Sequence, residues 1–290
     1  CVSKVAISAR RVRLLRRLDM DSTPMFERLE PRQLMSGNVK AIFKGDDVLI
    51  VGDDQGNLLQ VSYNGGSITF TPDLTTSINS NVPGLGFSVA LAAPLDELRV
   101  RMGGGNDWLI IINTSVRLIG VNGGAGDDIV QINNCTTTGV LDIQDRTGNN
   151  NISIDGSASG GDLTITAGSG SDTIDLMDST SGRKIRISAG NGNNTVRLDD
   201  DLDVTGELVI ITGAGNDVVR FGSVQVGAAT IGGSVVINLG AGAADLFSID
   251  PGYTMHIDGT YMAKYTGDFS LVGKAANSTV TIRGLTADDD

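Results

Sequence analysis

The sequence predicts an all-β protein, a parallel β-solenoid (β-helix) with coils of about 22 residues and a small β-meander cap before them. Two observations carry this. First, one glycine-rich turn is written again and again: "AGSGSDTIDL" (167–176), "AGNGNNTVRL" (189–198) and "TGAGNDVVRF" (212–221) are copies of a single pattern. Second, apolar and polar residues alternate on both sides of every copy. A fixed internal period of this size is the signature of stacked repeats. Alternation with period two is the signature of strands with one buried face.

Residues 1–37 form a leader. The first 35 residues hold eight Lys or Arg against four Asp or Glu, a net of +4. The chain as a whole carries −12, so the remainder carries −16. Five arginines between positions 10 and 17 dominate this stretch, which is expected to be largely disordered. The opening "VAISA" is too short for the apolar region of a secretory signal, and the basic run follows it rather than preceding it. Cys1 is an unusual first residue. A lipoprotein-like start and an over-extended reading frame would both produce it; Met20 and Met25 are alternative starts, and the chain could be a fragment.

Residues 38–92 are expected to be the cap. "VKAIFKGDDVLIVGDDQGNLLQVSYNGGSITF" (39–70) reads as three or four strands joined by polar or Gly turns. A solenoid needs its open end covered, because a bare sheet edge pairs with other chains.

Residues 93–250 are the expected solenoid. Aligned on the second glycine of each turn, the repeats fall at Gly105, Gly126, Gly148, Gly170, Gly192, Gly215 and Gly242, with steps of 21, 22, 22, 22, 23 and 27. Seven and five residues before these glycines stand Leu98 and Val100, Ile119 and Val121, Leu141 and Ile143, Leu163 and Ile165, Ile185 and Ile187, Leu208 and Ile210, Val235 and Ile237. Four and six residues after come pairs from Leu109 and Ile111 through Val219 and Phe221. The seventh repeat fits with one inserted alanine, giving Phe247 and Ile249. Two strands per repeat are therefore expected. A second glycine corner lies nine residues before the turn at Gly139, Gly161, Gly206 and Gly233. Tandem hairpins would share the alternation, but the near-constant step and repeated corners favour stacked coils. Beyond Asp250 the period blurs, and "MHIDG", "FSLVG" and "TVTIRG" read as degenerate coils closing the far end (251–290).

Composition excludes several classes. The chain has 290 residues and 39 Gly, but no G-X-Y period, so it is not collagen. Apolar content of 40% supports a packed core. An acidic body repels nucleic acid and tolerates cations. No apolar run approaches the 18 or so residues of a membrane-spanning helix. Cys1 and Cys135 cannot build a disulfide framework.

The turn "GGAGDD" (123–128), followed by Ile129 and Val130, matches the nonapeptide G-G-x-G-x-D-x-U-x. Here the sequence resembles the hemolysin-type, or repeats-in-toxin, calcium-binding repeats. The resemblance implies Ca²⁺ held between adjacent coils by aspartates and turn carbonyls. Carried over by position, the carboxylates are Asp107, Asp128, Asp172 and Asp217, with Asp245 if the inserted alanine is allowed. Departures are plain. The family repeats every nine residues, whereas here one such turn occurs per 22; Asn150 and Asn194 replace the acid in two coils. Asp and Asn are also good turn residues that cap backbone without any metal, so a calcium turn and a purely structural turn both stand. Asp127, Asn106 and Asn216, one place earlier, are expected in solvent.

"FERLEPRQLMSG" (26–37) resembles the LEPR-x-LL motif found near the start of large secreted or surface bacterial proteins, through Leu29, Glu30, Pro31, Arg32 and Leu34, with Met35 in place of the second leucine. It implies export and an extracellular or cell-surface location; a short capped segment ending at Glu30-Pro31 is the plain alternative.

The expected function is non-catalytic: a structural or adhesive surface solenoid whose partner is an envelope, matrix or glycan ligand. The alternative is a polysaccharide lyase or hydrolase of the β-helix class, with Arg186, Arg197, Arg220, Asp175 and Asp199 as outward candidates. One Trp and four Tyr offer little sugar stacking. His256, the only histidine, cannot make a multi-His site. Cys135 is expected to be packed rather than nucleophilic. The G-x-G runs have no following helix, which removes dinucleotide-binding geometry.

Overall fold

The structure, a computed structural model, describes residues 37–79, 81–199, 201–222, 228–241 and 244–249, and the backbone of the strands Thr254–Ile257, Tyr261–Tyr265, Ser270–Leu271 and Val280–Ile282. The leader and its LEPR-like motif, Gly242, and the connections after Ile249 lie outside the described residues. Among the described residues there are strands and no α-helix.

The chain is a parallel β-solenoid. Each coil from Glu97 onward contributes to three sheets, two of eleven strands and a third of eight. In the first sheet the register sets Leu98, Ile119, Leu141, Leu163, Ile185, Leu208 and Val235 side by side in one column. In the second sheet Leu109, Val130, Ile152, Ile174, Val196, Val219 and Phe247 do the same. All of these are buried. Burying each such side chain contributes roughly 1.5–3 kcal/mol. One coil alone exposes both edges of its strands, so the columns exist only by stacking.

The expectation of two strands per coil is corrected to three. The third is short, as in Thr136–Thr137, Ala158–Ser159 and Thr180–Ser181. In these coils it lay hidden because its inward residues are polar: Thr137, Ser159 and Ser181 are all buried, where other coils carry Val116, Val204 and Ile231. A left-handed residue precedes it at Asn113 (φ 49°), Asn134 (φ 52°), Gly156 (φ 56°) and Asp178 (φ 44°). The next residue faces inward, and its side chain donates to the carbonyl two places back: Thr114 to Ile112 O at 3.0 Å, Ser157 to Asp155 O at 3.0 Å and Ser179 to Met177 O at 2.7 Å. Asn and Asp tolerate this backbone, and the small hydroxyl adds a second donor to carbonyls that, at Asp155 and Met177, also accept a main-chain N–H from the preceding coil.

The segment 38–92 contains more than a cover. Strands β1 (Asn38–Lys44), β2 (Asp47–Val51), β3 (Leu58–Tyr63), β4 (Ser67–Pro72), β5 (Ser77–Ile78) and β6 (Phe87–Ala90) fall into two roles. β2 and β3 are themselves coil strands: β2 runs parallel to Glu97–Gly104 with Val48 opposite Leu98, and β3 runs parallel to Trp108–Ile112 with Leu59 opposite Leu109. β1 then folds back antiparallel on β2, and β4 on β3. Over the buried Phe70 ring, Phe43 lies at 6.2 Å and Phe87 at 5.1 Å between centroids. At the other end, Thr254–Ile257, Tyr261–Tyr265 and Ser270–Leu271 continue the three sheets in parallel register.

Candidate functional site

The glycine turn between the first and second sheets is built by close approach. At Gly170 φ is 135°, and a Cβ there would stand 1.8 Å from the Gly148 carbonyl oxygen of the preceding coil. No L-side chain accepts both conditions. Gly105, Gly126, Gly192 and Gly215 repeat the positive φ.

With the glycines packed down, the residue two places on points inward. Its side-chain oxygen accepts the main-chain N–H of its equivalent one coil earlier. The chain of bonds is unbroken: Asn57 N–H to Asp107 Oδ1 at 2.7 Å, Asp107 to Asp128 at 2.8 Å, Asp128 to Asn150 at 3.0 Å, and Asn150 to Asp172 at 2.8 Å. It continues from Asp172 to Asn194 at 3.0 Å, Asn194 to Asp217 at 2.8 Å and Asp217 to Asp245 at 2.9 Å. All eight residues are buried. One place earlier an outer row runs the opposite way: Asn106 accepts from Asp127 N–H at 3.0 Å, Asp127 from Asn149 at 2.7 Å, and Asn193 from Asn216 at 2.8 Å. Asn106, Asp127 and Asn216 are exposed, yet each is tied to a neighbouring coil.

The structure therefore brings the five sequence-predicted carboxylates, Asp107, Asp128, Asp172, Asp217 and Asp245, into one column. It also separates most of them. Asn150 and Asn194 interrupt the acids, leaving only Asp107 beside Asp128 and Asp217 beside Asp245. The asparagines disclose what the second side-chain atom of this position meets. Asn150 Nδ2 donates to Gly148 O at 3.3 Å and Ala167 O at 3.2 Å; Asn194 Nδ2 donates to Gly190 O, Gly192 O and Thr212 O at 3.0–3.1 Å. The surroundings are carbonyl oxygens. In the acid coils the matching atom is itself an acceptor, and Oδ2 of Asp107, Asp128, Asp172 and Asp217 is buried with no hydrogen-bond partner. Burial pushes the Asp107 carboxyl up to about 7, with Asp128 adding repulsion, and Asp172 up to about 6. Asp128 and Asp217 are raised for the same first reason. Acceptors crowded together in a dry site call for a proton or a hard cation between them. The acid turns thus fit Ca²⁺ by donor type, while the asparagine turns place an N–H there and do not. Among the described residues no group of three or more His, Cys, Asp or Glu is gathered at one point.

Sequence reading missed two members of this region. Asn57 caps the column from β2–β3, whose turn "DDQGN" lacks the G-x-G spacing. Asp145 lies three residues before Gly148 and is buried, with Oδ2 unpartnered. The signal was available by alignment: the other coils carry Met102, Gly123, Ala167, Ala189, Thr212 and Leu239 at that place.

The outward candidates behave as a surface. Arg197 pairs with Asp175 of the preceding coil at 3.2 Å, and Arg220 stands opposite Arg197 in the register. Cys135 is packed, its Sγ donating to Asn133 O at 3.3 Å, and burial lifts the thiol to about 11. His256 lies on Thr254–Ile257, opposite Thr230. A groove of about 430 Å³ crosses the outer face of the first sheet, lined by Arg99, Arg101, Asn122, Asp142, Gln144 and Arg146 with Gly120 as its floor. No helix of the described residues is long and apolar enough to cross a membrane.

Comparison with protein-family models, with curated proteins and with solved structures finds no match for this chain.

Proposed function

We propose that the chain is a non-catalytic solenoid of the cell surface or extracellular space, with a structural or adhesive role, and that its acid turns take up calcium. The observation that supports this best is the unbroken inner column from Asn57 to Asp245. The acids of the turns spend one oxygen on holding coils together, as a stiff rod requires. Calcium would be held by the second oxygens of Asp107, Asp128, Asp172 and Asp217, which carry no partner. It would supply charge neutralisation between stacked coils. The groove with Arg99, Arg101 and Arg146 supports an anionic glycan as the ligand of such a rod, in a body that is otherwise acidic.

Incubation with a panel of acidic and neutral polysaccharides tests the reading. Retention on acidic glycans without new reducing ends or unsaturated products is expected. Product release would make the chain a lyase or hydrolase instead. Cell fractionation with mass spectrometry of the native N-terminus tests the location.

A further inference from the structure

We propose that Asp128, a turn acid, and Asp145, an acid outside the repeat, form one buried site for a hard divalent cation, placed over Gly123. The inference rests on the reading that this solenoid takes up calcium, and it assigns the strongest site to a pair that the repeat pattern does not contain.

Asp145 belongs to the coil after Asp128 and directly follows the strand Leu141–Gln144. The corresponding residues in the other coils are apolar, glycine or threonine. Asp145 is 4% exposed, and its Oδ1 accepts the Arg146 main-chain N–H at 2.9 Å. Its Oδ2 is unpartnered, as is Oδ2 of Asp128, which is 1% exposed. The two oxygens converge on one place. A Cβ built on Gly123 would stand 2.4 Å from Asp145 Oδ2 and 2.9 Å from Asp128 Oδ2. A residue with any side chain at 123 would fill the space; this coil has glycine.

The groups facing the pair are mostly acids. Asp107 lies one coil before, Asp127 is adjacent in sequence, Asp172 lies one coil beyond, and the main chain of Gly124 is the neighbouring donor. The Arg146 residue itself is exposed. Two carboxylates in a dry site repel unless something positive lies between them. A calcium-sized ion suits this better than magnesium, since irregular sets of carboxylate and carbonyl oxygens satisfy Ca²⁺ but not the strict octahedron of Mg²⁺.

The test uses the full chain in chelator-treated buffer at about pH 7.5, with CaCl₂ as the probe, read by thermal melting and isothermal titration. Wild type is expected to melt at a higher temperature with millimolar Ca²⁺. Asp145→Asn and, independently, Gly123→Ala are expected to lose the tightest site, while Asp175→Asn, an outward acid paired with Arg197 and outside the turn column, keeps it. Retention of that site by both Asp145→Asn and Gly123→Ala would overturn the pair and leave calcium binding at the turns standing. A wild type unmoved by Ca²⁺ would end both. If wild type ignores Ca²⁺ and Asp145→Asn is more stable than wild type, the pair holds a proton and not a metal, which also overturns the proposal.

Discussion

Asp172 Oδ1 lies 2.8 Å from the main-chain nitrogen of Asn150, the residue that occupies the same place one coil earlier. The side chain thereby supplies a bond between coils where the turn takes the backbone out of its regular ladder. Asp172→Ala removes the acceptor and strands a buried N–H, and is expected to cost about 1–3 kcal/mol in urea unfolding. Asp172→Asn keeps the acceptor and adds an N–H toward carbonyls that Asn150 and Asn194 already use in their own coils. It is expected to be neutral or stabilising in calcium-free buffer. A loss as large as that of the alanine variant would contradict the ladder.

The pH dependence follows from the same column. Burial is the chief cause that pushes the folded-state carboxyls of Asp107 and Asp172 up to about 7 and about 6, above the ordinary aspartate value of 3.8. The folded chain therefore binds more protons than the unfolded chain between these limits. Stability from these groups is full below about pH 4 and is lost progressively as the pH rises toward 7. Melting in calcium-free buffer is expected at a higher temperature near pH 4.5 than at pH 7.5, and the double variant Asp107→Asn/Asp172→Asn is expected to flatten the slope. A rise in melting temperature across that range would reverse the sign and count against buried acids.

Two glycines separate backbone strain from crowding. Gly45 has φ 64° and nothing within 4 Å of a built Cβ, so Gly45→Ala is expected to cost only about 1 kcal/mol. Gly170 combines φ 135° with the Gly148 oxygen at 1.8 Å from that Cβ. Gly170→Ala is expected to exceed about 3 kcal/mol, a value reached by few single substitutions. Equal melting temperatures for the two variants would be inconsistent with coils packed this closely.

The aliphatic columns give a third comparison. Ile165, Ile187 and Ile210 are consecutive partners in the first sheet and fully buried. Ile187→Ala is expected to cost about 2–5 kcal/mol. Combined with Ile165→Ala it should depart from additivity, since both truncations open one shared cavity. Ile187→Ala with Ile111→Ala, several coils away, should add. Denaturation midpoints of the three single and two double variants measure this.

Legibility in the sequence tracked side-chain chemistry. Leu163, Ile165, Ile174 and Leu176 announced themselves because apolar residues at period two have one explanation. The third strand did not, because Ser157, Ser159, Ser179 and Ser181 face inward while looking like loop residues. The first coil escaped because Asn57 follows "DDQG" rather than a G-x-G turn, although Val48, Ile50, Leu59 and Val61 carry the same spacing of buried positions. At the turns, the acid column was legible by position, but its inward direction and the reversed outer row through Asn106 and Asp127 were not. Those depend on which way each peptide unit faces, and letters do not record that. Asp145 was visible only as an exception to its column.

The antiparallel folding back of β1 and β4 occurs once, on the first coil, and no later coil refers to it. The central windings touch only their immediate neighbours, so nothing in the design counts them. Duplicating or excising one complete winding in the middle leaves the first and last described coils with the neighbours they already have. It changes the length of the rod by a single strand spacing, about 4.8 Å. Reach is thus set by a copy number, which unequal recombination can alter without inventing a new contact.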